Sequence, residues 1–393
     1  MTKPSLIAAT LPALIALASC SPATDVDSTM TADAAWDGTF TTEQLDTLDQ
    51  PWAASFVPGT KVLVATTKPG KVHGWDLANG KAIFFSGVPE VDYGGQGGLG
   101  DIAFLESEAG QPLSGRTIYL SWAEHGERSD NPREGTRGAV VGRGKLLCED
   151  HQDCQITGME VIWRQAPKTT GRGHYSHRIA FSPDEKYMFV ASGDRQKMEP
   201  AQDAANTIGT IVRLNLDGTP AAGNPLADRG APSNEIWSWG HRNILGMAFN
   251  AEGQLWEVEH GPKGGDELNL VKKGANYGWP TRSYGIHYNN DPIPDHVAND
   301  GFAKPALWWT PVIAPGDMLF YSGDLFPGLA GDALIAGLSS NALVRIDVEG
   351  ETAREVARYG LDARIRAVVE GPDGALYVFE DGDGAKVLKL TPG

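Results

Sequence analysis

The 393-residue sequence lacks three features that would point to other classes of protein. It has 33 basic against 50 acidic residues, and the resulting net charge of −17 argues against nucleic acid or an anionic membrane surface as its partner. It has no long amphipathic helical pattern, which argues against a helical fold. It has only three cysteines, so a single pair remains once Cys20 is assigned to the N-terminal signal.

The N-terminal residues are predicted to be a targeting signal. Lys3 precedes an apolar run over residues 6–18 that is too short to span a bilayer, and residues 17–20, LASC, resemble a bacterial lipoprotein processing site. We therefore expect a signal peptide over residues 1–20, with a lipobox that ends at a lipidated Cys20. Ordinary cleavage near residue 19 is the alternative, and either route takes the protein out of the cytoplasm.

The segment after Cys20 is predicted to be a flexible tether. Residues 21–45 are rich in Ser, Thr, Ala and Asp, a composition typical of linkers. The folded body is then expected over residues 46–393. The predicted location is the periplasm, with the lipid anchor in the cell envelope at the outer membrane.

Cys148 and Cys154 are predicted to form a disulfide across a small loop, because an exported protein folds under oxidising conditions. The segment CEDHQDC would then be a local crosslink on the surface. A metal site that also uses His151 is the alternative, but only three plausible ligands are clustered there.

The body of the chain repeats a strand-turn-strand unit, and its 48 glycines indicate many turns. Three units share an aliphatic-turn-aromatic pattern, and each hairpin is too small to bury its own face, so the units must stack. We predict an all-β, six-bladed β-propeller of antiparallel four-stranded sheets, with a β-sandwich as the alternative. The six units cover residues 53–76, 102–122, 179–193, 247–258, 318–347 and 368–390.

Polar residues converge at the ends of two predicted hairpins. His241, Arg242 and Asn243 precede one strand of the 247–258 unit, and residues 259–262 follow its partner, so both groups lie at the same end. By the same geometry, His174 and Asp194 flank the 179–193 hairpin. A carboxylate in that position can orient an imidazole and raise its basicity.

Two motifs are interpreted as turns and not as ligand sites. Residues 95–100, GQGGLG, match the dinucleotide-binding pattern, but a strand follows them where that site needs a helix. Residues 381–384, DGDG, start like a calcium-binding loop, but Ala385 and Pro392 stand where two of its ligands are required.

From about Trp52 onward the chain resembles the soluble quinoprotein aldose and glucose dehydrogenases, which are six-bladed propellers that use pyrroloquinoline quinone (PQQ) and calcium. The resemblance covers nearly every predicted blade in order. It rests on the segments GGQGGLGDIAF, GHYSHRIAFSPD with SGD, WSWGHRNILGMAF, EHGPKGGDELNL with GANYGWP, and RIRAVVEGPDGALYVFED.

The resemblance implies roles for individual residues. His174 matches the general base that takes the proton from the anomeric hydroxyl, Asp194 matches its carboxylate partner, and Arg242 matches the residue beside the reacting quinone carbonyl. Gln96 and Asn243 match neighbours of the cofactor, and Arg364 and Arg366 match the pair that binds its carboxylates. The calcium ligands of the family are matched by Gly261, Pro262 and Glu267.

Some of these assignments have plainer alternatives. Arg364 and Arg366 could be a solvated strand face, and Glu267 could form an ordinary salt bridge. Trp308 and Trp309 either line a sugar pocket or belong to the core.

The sequence also departs from the family pattern in two places. Residues 337–341, GLSSN, lack a lysine that commonly binds PQQ in this family, and losing such a contact would cost roughly 1.5–3 kcal/mol of cofactor affinity. His177 stands where a smaller Gly or Ser is usual.

The predicted function is oxidation of aldose sugars at the anomeric carbon to lactones, with PQQ and calcium as cofactors and an external electron acceptor. One alternative is a lactonase-like metal-dependent hydrolase that gathers His174, His177, His241 and His260 around a metal. The other is a non-catalytic sugar-binding lipoprotein. We expect the protein to contact the membrane only through its lipid anchor. We also expect it to be a monomer or a homodimer.

Overall fold

The computed structural model describes most of the chain beyond the N-terminal segment. The predicted lipobox at Cys20 and the tether as far as residue 35 lie outside the described residues, as does His151. Within the described part there is no α-helix, and no helix is long and apolar enough to cross a membrane. The described residues are 1, 36–129, 131, 134–149 and 152–393.

The described residues form 24 strands and four short 3-10 turns. The first twelve strands, β1 to β12, are Phe40–Leu48, Pro51–Phe56, Val62–Thr67, Lys71–Asp76, Lys81–Ser86, Leu99–Ala103, Thr117–His125, Arg137–Glu149, Asp153–Arg164, Ser176–Phe181, Tyr187–Ser192 and Thr210–Asn215. The next twelve, β13 to β24, are Ile236–Trp239, Ile244–Phe249, Leu255–Glu259, Asp266–Leu270, Leu307–Trp309, Pro315–Phe320, Ala333–Gly337, Ala342–Glu349, Thr352–Gly360, Ile365–Glu370, Leu376–Glu380 and Ala385–Pro392. The 3-10 turns are Glu106–Glu108, Glu199–Gln202, Ala227–Arg229 and Ser233–Glu235.

The strands form antiparallel four-stranded meanders. Three separate sheets are β10–β13, β14–β17 and β18–β21, and a fourth joins β22–β24 to β1. The meanders β2–β5 and β6–β9 are linked into one eight-stranded sheet by a short parallel pairing of β5 with β9. The predicted all-β class with antiparallel four-stranded sheets is confirmed.

The fold begins earlier than the predicted boundary at residue 46. Strand β1 pairs with β24 from Phe40 opposite Pro392 to Leu48 opposite Ala385, and Trp36 packs 4.9 Å from the Phe40 ring. The composition of residues 21–45, rich in Ser, Thr, Ala and Asp, predicts a tether here, and most β1 side chains are indeed polar and exposed. The backbone pairing with β24 holds this strand, and composition does not report such pairing.

Apolar residues fill the interfaces between successive meanders. Each of six buried clusters combines side chains from two neighbouring meanders; one of them, for example, contains both Val64 of β3 and Ile118 of β7. One meander buries only part of its surface by itself, so the stability of each depends on its neighbours. The core therefore lies between the sheets.

The first strands of the meanders contact one another in a closed cycle. In order around the cycle they are β2, β6, β10, β14, β18 and β22, and β22 contacts β2 again. A sandwich would place its strands in two facing layers, so this arrangement does not support the β-sandwich alternative.

Arg178 of β10 lies at the centre of this cycle and is buried. Its guanidinium is 3.2 Å from Asp101 of β6 and 3.1 Å from Asp317 of β18, and it donates to the carbonyl oxygens of Leu245 and Gly316. It also lies 4.4 Å from the ring centroid of a β2 residue, Trp52. Burial raises the pKa of Asp317 to about 7 despite the facing cation.

Cys148 and Cys154 form the predicted disulfide. They are directly paired residues of the β8–β9 hairpin, and their sulfurs are 2.04 Å apart. Since both sulfurs are bonded to each other, neither is a thiolate ligand for the alternative metal site.

We predict that Arg178→Met destabilises the protein by about 3–5 kcal/mol, because it leaves the carboxylates of Asp101 and Asp317 buried without their cation. Urea unfolding would measure this. The matched control is Arg354→Met, which breaks an exposed ion pair with Asp347 and should change stability by about 1 kcal/mol or less. Equal losses in the two variants would contradict the prediction.

Candidate functional site

His174 and Asp194 form a buried hydrogen-bonded pair, as the hairpin geometry predicts. His174 lies two residues before β10, and Asp194 lies two residues after β11. The Nδ1 of His174 is 2.6 Å from Oδ1 of Asp194, so the carboxylate fixes the ring with Nδ1 as the donor. Among the described residues, Nε2 of His174 has no hydrogen-bond partner, which leaves it available to a substrate.

The electrostatics of the pair favour a neutral imidazole beside an ionised carboxylate. Burial lowers the pKa of His174 below its usual value, although the hydrogen bond that His174 donates to Asp194 opposes this shift. Burial also disfavours ionisation of Asp194, but the His174 hydrogen bond and the Arg242 charge outweigh it and lower the pKa of that carboxyl. His174 is therefore a base that remains unprotonated at neutral pH.

Two further side chains position this pair. Trp279 donates its Nε1–H to Oδ2 of Asp194 at 2.7 Å. The backbone N–H of His174 donates to Oε1 of Gln96 at 2.7 Å. Gln96 comes from the glycine-rich segment that leads into β6, so that segment precedes a strand and is not a dinucleotide site. Trp279 was missed as a site residue in the sequence, where it appears only as part of a loop motif.

Arg242 approaches the pair from the segment before β14. Its backbone carbonyl accepts from the N–H of Asp194 at 2.8 Å, and its Nη1 donates to the carbonyl of His260 at 3.0 Å. The Nε of Arg242 and the Oδ1 of Asn243 are buried without a hydrogen-bond partner. Orphaned polar atoms of this kind indicate groups that await a ligand.

A cavity of about 350 Å³ lies beside these residues. His174 and Arg242 do not line this cavity, but each is hydrogen-bonded to a residue that does. His174 contacts Gln96, and Arg242 contacts His260. The lining residues are Gln50, Trp52, Lys68, Gln96, Tyr175, Ser176, His177, Asn243, Leu245, His260, Leu338, Arg364, Arg366, Asp381 and Gly382.

Arg364 and Arg366 lie together on the cavity wall, and both bind one carboxylate. Asp381 accepts two hydrogen bonds from each guanidinium, at distances between 2.7 and 3.0 Å. The alternative of a solvated strand face is wrong for Arg366, whose side chain is 13% exposed. Asp381 belongs to the segment interpreted as a turn, and it is a turn, but its role in fixing the arginines was not foreseen.

Gly261, Pro262 and Glu267 meet at a narrow crevice next to Arg242. A side chain at Gly261 would collide with the carbonyl oxygen of Gly265 at 2.2 Å, so the chain can approach itself this closely only at glycine. Among the described residues, neither the Gly261 nor the Pro262 carbonyl oxygen accepts a hydrogen bond. Burial and the nearby carboxylate of Glu259 raise the pKa of Glu267 well above its usual value.

His177 fills part of the cavity wall. Its ring stacks 5.3 Å from Tyr175 and meets the edge of Trp52 at 5.5 Å, and both of its ring nitrogens are buried without partners. Burial lowers the pKa of His177 to about 3, so the ring is neutral. Trp309 is a core residue, and Trp308 stacks on Tyr284, so neither lines the cavity.

The four histidines of the hydrolase alternative are not gathered around one point. Among the described residues, the group that could hold a metal through at least three ligands is His241 with Glu257 and Glu259. The other three have separate surroundings: His174 binds Asp194, His260 contacts the Pro315 carbonyl, and His177 is stacked as described above.

Comparison with known proteins places this site in a family. A model of the glucose/sorbosone dehydrogenases matches residues 48–389. The chain belongs to that family. The glucose/sorbosone dehydrogenases are sugar oxidoreductases, so the protein is an enzyme of that class and the resemblance seen in the sequence is confirmed.

Two curated relatives are similar to this chain over different lengths. The chain is 35% identical over 352 residues to aldose sugar dehydrogenase YliI of Escherichia coli (strain K12). This alignment covers 88% of the chain and 91% of the relative. It is 28% identical over 257 residues to quinoprotein glucose dehydrogenase B of Acinetobacter calcoaceticus, covering 60% and 51%.

Solved structures of family members share the fold. The apo-form of the soluble aldose sugar dehydrogenase of Escherichia coli superposes with a TM-score of 0.82 at 36% identity, covering 90% of this chain and all of that one. The PQQ-bound aldose sugar dehydrogenase of Streptomyces coelicolor gives a TM-score of 0.68 at 25% identity, covering 91% and 99%. The architecture is therefore β-propeller-like.

We predict that the pKa of His174 lies below about 6.5, the ordinary value for histidine, and falls further in Asp194→Asn. The substitution removes the charge that opposes the effect of burial. Nuclear magnetic resonance of selectively labelled histidine would follow the titration. Trp279→Phe is the control, because it keeps the carboxylate and should leave the pKa closer to that of the parent. An increase in Asp194→Asn would contradict the assignment.

Proposed function

We propose that this enzyme oxidises aldose sugars at the anomeric carbon to lactones, with PQQ and calcium as cofactors and an external electron acceptor. The observation that carries the proposal is the His174–Asp194 pair beside a cavity walled by two arginines. A base next to an anion-binding cavity suits removal of a proton from a sugar whose hydride passes to an anionic quinone.

The residues at the cavity fit PQQ, which carries several carboxylates. Arg364 and Arg366 keep N–H groups that Asp381 does not use, and such groups can bind carboxylates bidentately. The orphaned Nε of Arg242 and Oδ1 of Asn243 supply further polar contacts. The chemistry supplied by PQQ, when bound, is acceptance of the hydride. PQQ-bound family structures support this choice.

The protein side chains would handle the proton and the developing charge. Nε2 of His174 would take the proton of the anomeric hydroxyl, because Nδ1 is committed to Asp194. Asp194 would stabilise the resulting imidazolium. Arg242 would place a fixed cation near the oxygen on which negative charge develops, held there by the His260 carbonyl and by Trp279, whose ring centroid is 5.2 Å away.

The crevice residues fit a calcium ion. The carbonyl oxygens of Gly261 and Pro262 are uncommitted hard ligands, and Glu267 is a buried carboxylate in an acidic surrounding. We propose that the carbonyl pair holds the calcium of the active site and that Glu267 is a ligand of a structural calcium. A cation there would relieve the repulsion between Glu267 and Glu259.

We further propose that the six meanders are the six blades of a propeller. The closed cycle of first strands and the pairing of β1 with β24 support this count. The proposed location remains the periplasm, through a lipid anchor at Cys20.

The first test is reconstitution of the mature chain, produced without its lipid anchor and stripped of metal. We expect dye reduction with aldoses only when PQQ and calcium are both added, because each fills a separate part of the site. His174→Ala should lower kcat by about 10²–10⁴ while PQQ binding persists. His73→Ala, on β4 away from the cavity, is the control. Turnover without PQQ, or full activity in His174→Ala, would overturn the proposal.

A second test concerns calcium alone. Without PQQ, the structural calcium, at 100 times the Kd of its site, should stabilise the parent by about 2.7 kcal/mol. Glu267→Gln should lose most of this gain, because it removes the charged ligand. Glu351→Gln, which removes an exposed carboxylate paired with Lys272, should keep it. Thermal unfolding with and without calcium is the measurement, and an undiminished gain in Glu267→Gln would exclude this residue as a ligand.

A further inference from the structure

We propose that Lys68 is a third cation that binds the carboxylates of the anionic cofactor, in a cavity whose turn at residues 337–341 supplies no cation. This inference rests on the proposed function and adds a binding residue to it. Lys68 follows β3 in the first meander, whereas Arg364 and Arg366 belong to the last. Residues from these two adjoining meanders thus face one cavity.

The backbone of Lys68 is held in place at the cavity. Its N–H donates to the carbonyl of Gln50 at 2.9 Å, and its carbonyl accepts from the N–H of Leu99 at 3.0 Å. Gly98 packs against the same carbonyl so closely that a Cβ there would lie 2.1 Å from the oxygen. Lys68 therefore starts from a fixed point, which limits the entropy lost when its side chain binds a ligand.

The ammonium group of Lys68 is poorly satisfied by the protein. It makes one long hydrogen bond, 3.5 Å to the Gly95 carbonyl, and no carboxylate of the described residues lies within 4 Å of it. Burial, followed by the charge of Arg366, lowers its pKa. An ammonium that can donate three hydrogen bonds and makes one is suited to an incoming anion.

The net charge of the residues that line the cavity also favours binding of an anion. Lys68, Arg364 and Arg366 bring three positive charges to the wall, and Asp381 brings one negative charge, so this part of the cavity carries a net +2. The turn at residues 337–341 contributes Leu338 to the wall but no cation. Lys68 therefore supplies the positive charge that this turn lacks.

The test is a PQQ titration of the calcium-loaded parent and variants, with neither sugar nor dye present. Quenching of tryptophan fluorescence measures the binding. Lys68→Gln should weaken PQQ binding roughly 10- to 100-fold, as expected for loss of a charge-assisted hydrogen bond. Lys68→Arg should stay within about threefold of the parent, because it keeps the charge. The matched control is Lys71→Gln, three residues along and exposed outside the cavity, which should bind like the parent.

A second variant tests the proposal from the turn at residues 337–341. Ser339 is exposed and follows the cavity-lining Leu338, so Ser339→Lys can return a cation to that turn. Added to Lys68→Gln, it should recover much of the lost affinity. Failure to recover would show that Lys68 acts by a contact specific to its own position and would overturn its compensating role.

The remaining outcomes are distinct. Binding by Lys68→Gln within twofold of the parent, or an equal loss in Lys71→Gln, overturns the role of Lys68 while the proposed function stands. A parent that binds no PQQ overturns the proposed function and this inference together. Unfolding temperatures of each variant, measured alongside, separate a loss of binding from a loss of fold.

Discussion

The buried guanidinium of Arg178 is the interaction on which the arrangement of the meanders depends. It pairs with carboxylates from two other first strands, donates to the carbonyl of Leu245 in a third and lies against Trp52 in a fourth. Asp317 then accepts from the backbone N–H of Val368 in β22, which connects the sixth. One charged network therefore links all six first strands at their common centre, where apolar packing alone would leave the register of neighbouring sheets less defined.

The proposed active site lies at one end of these same strands. The first strand of each meander begins there and the second ends there, so the segments before first strands and after second strands converge. Gln96, His174 and Arg242 come before first strands, whereas Asp194 and Asp381 come after second strands. Short chain segments from different meanders can thus form one site without any long mobile loop.

Sequence patterns predicted the hairpins and the site residues that flank them, since alternation and turn glycines are local signals. His174 and Asp194 could be placed together for this reason. Residues that act through distant contacts could not. Lys68 looks like any turn lysine, Asp381 like a turn aspartate, and Trp279 like a loop aromatic, because their partners lie in other meanders. Strand β1 was missed for the same reason, as its polar face is held by backbone pairing with β24.

The pairing of β1 with β24 also bears on how the chain reaches its folded state. Strand β1 begins the described strands and β24 ends them, so a chain that lacks β24 leaves β1 without its pairing partner. A nascent or partly exported chain keeps an open strand edge at β1 until β24 is available. The pairing of β1 therefore requires that synthesis or export has reached β24, and a chain truncated within β24 would leave a strand edge exposed to proteases.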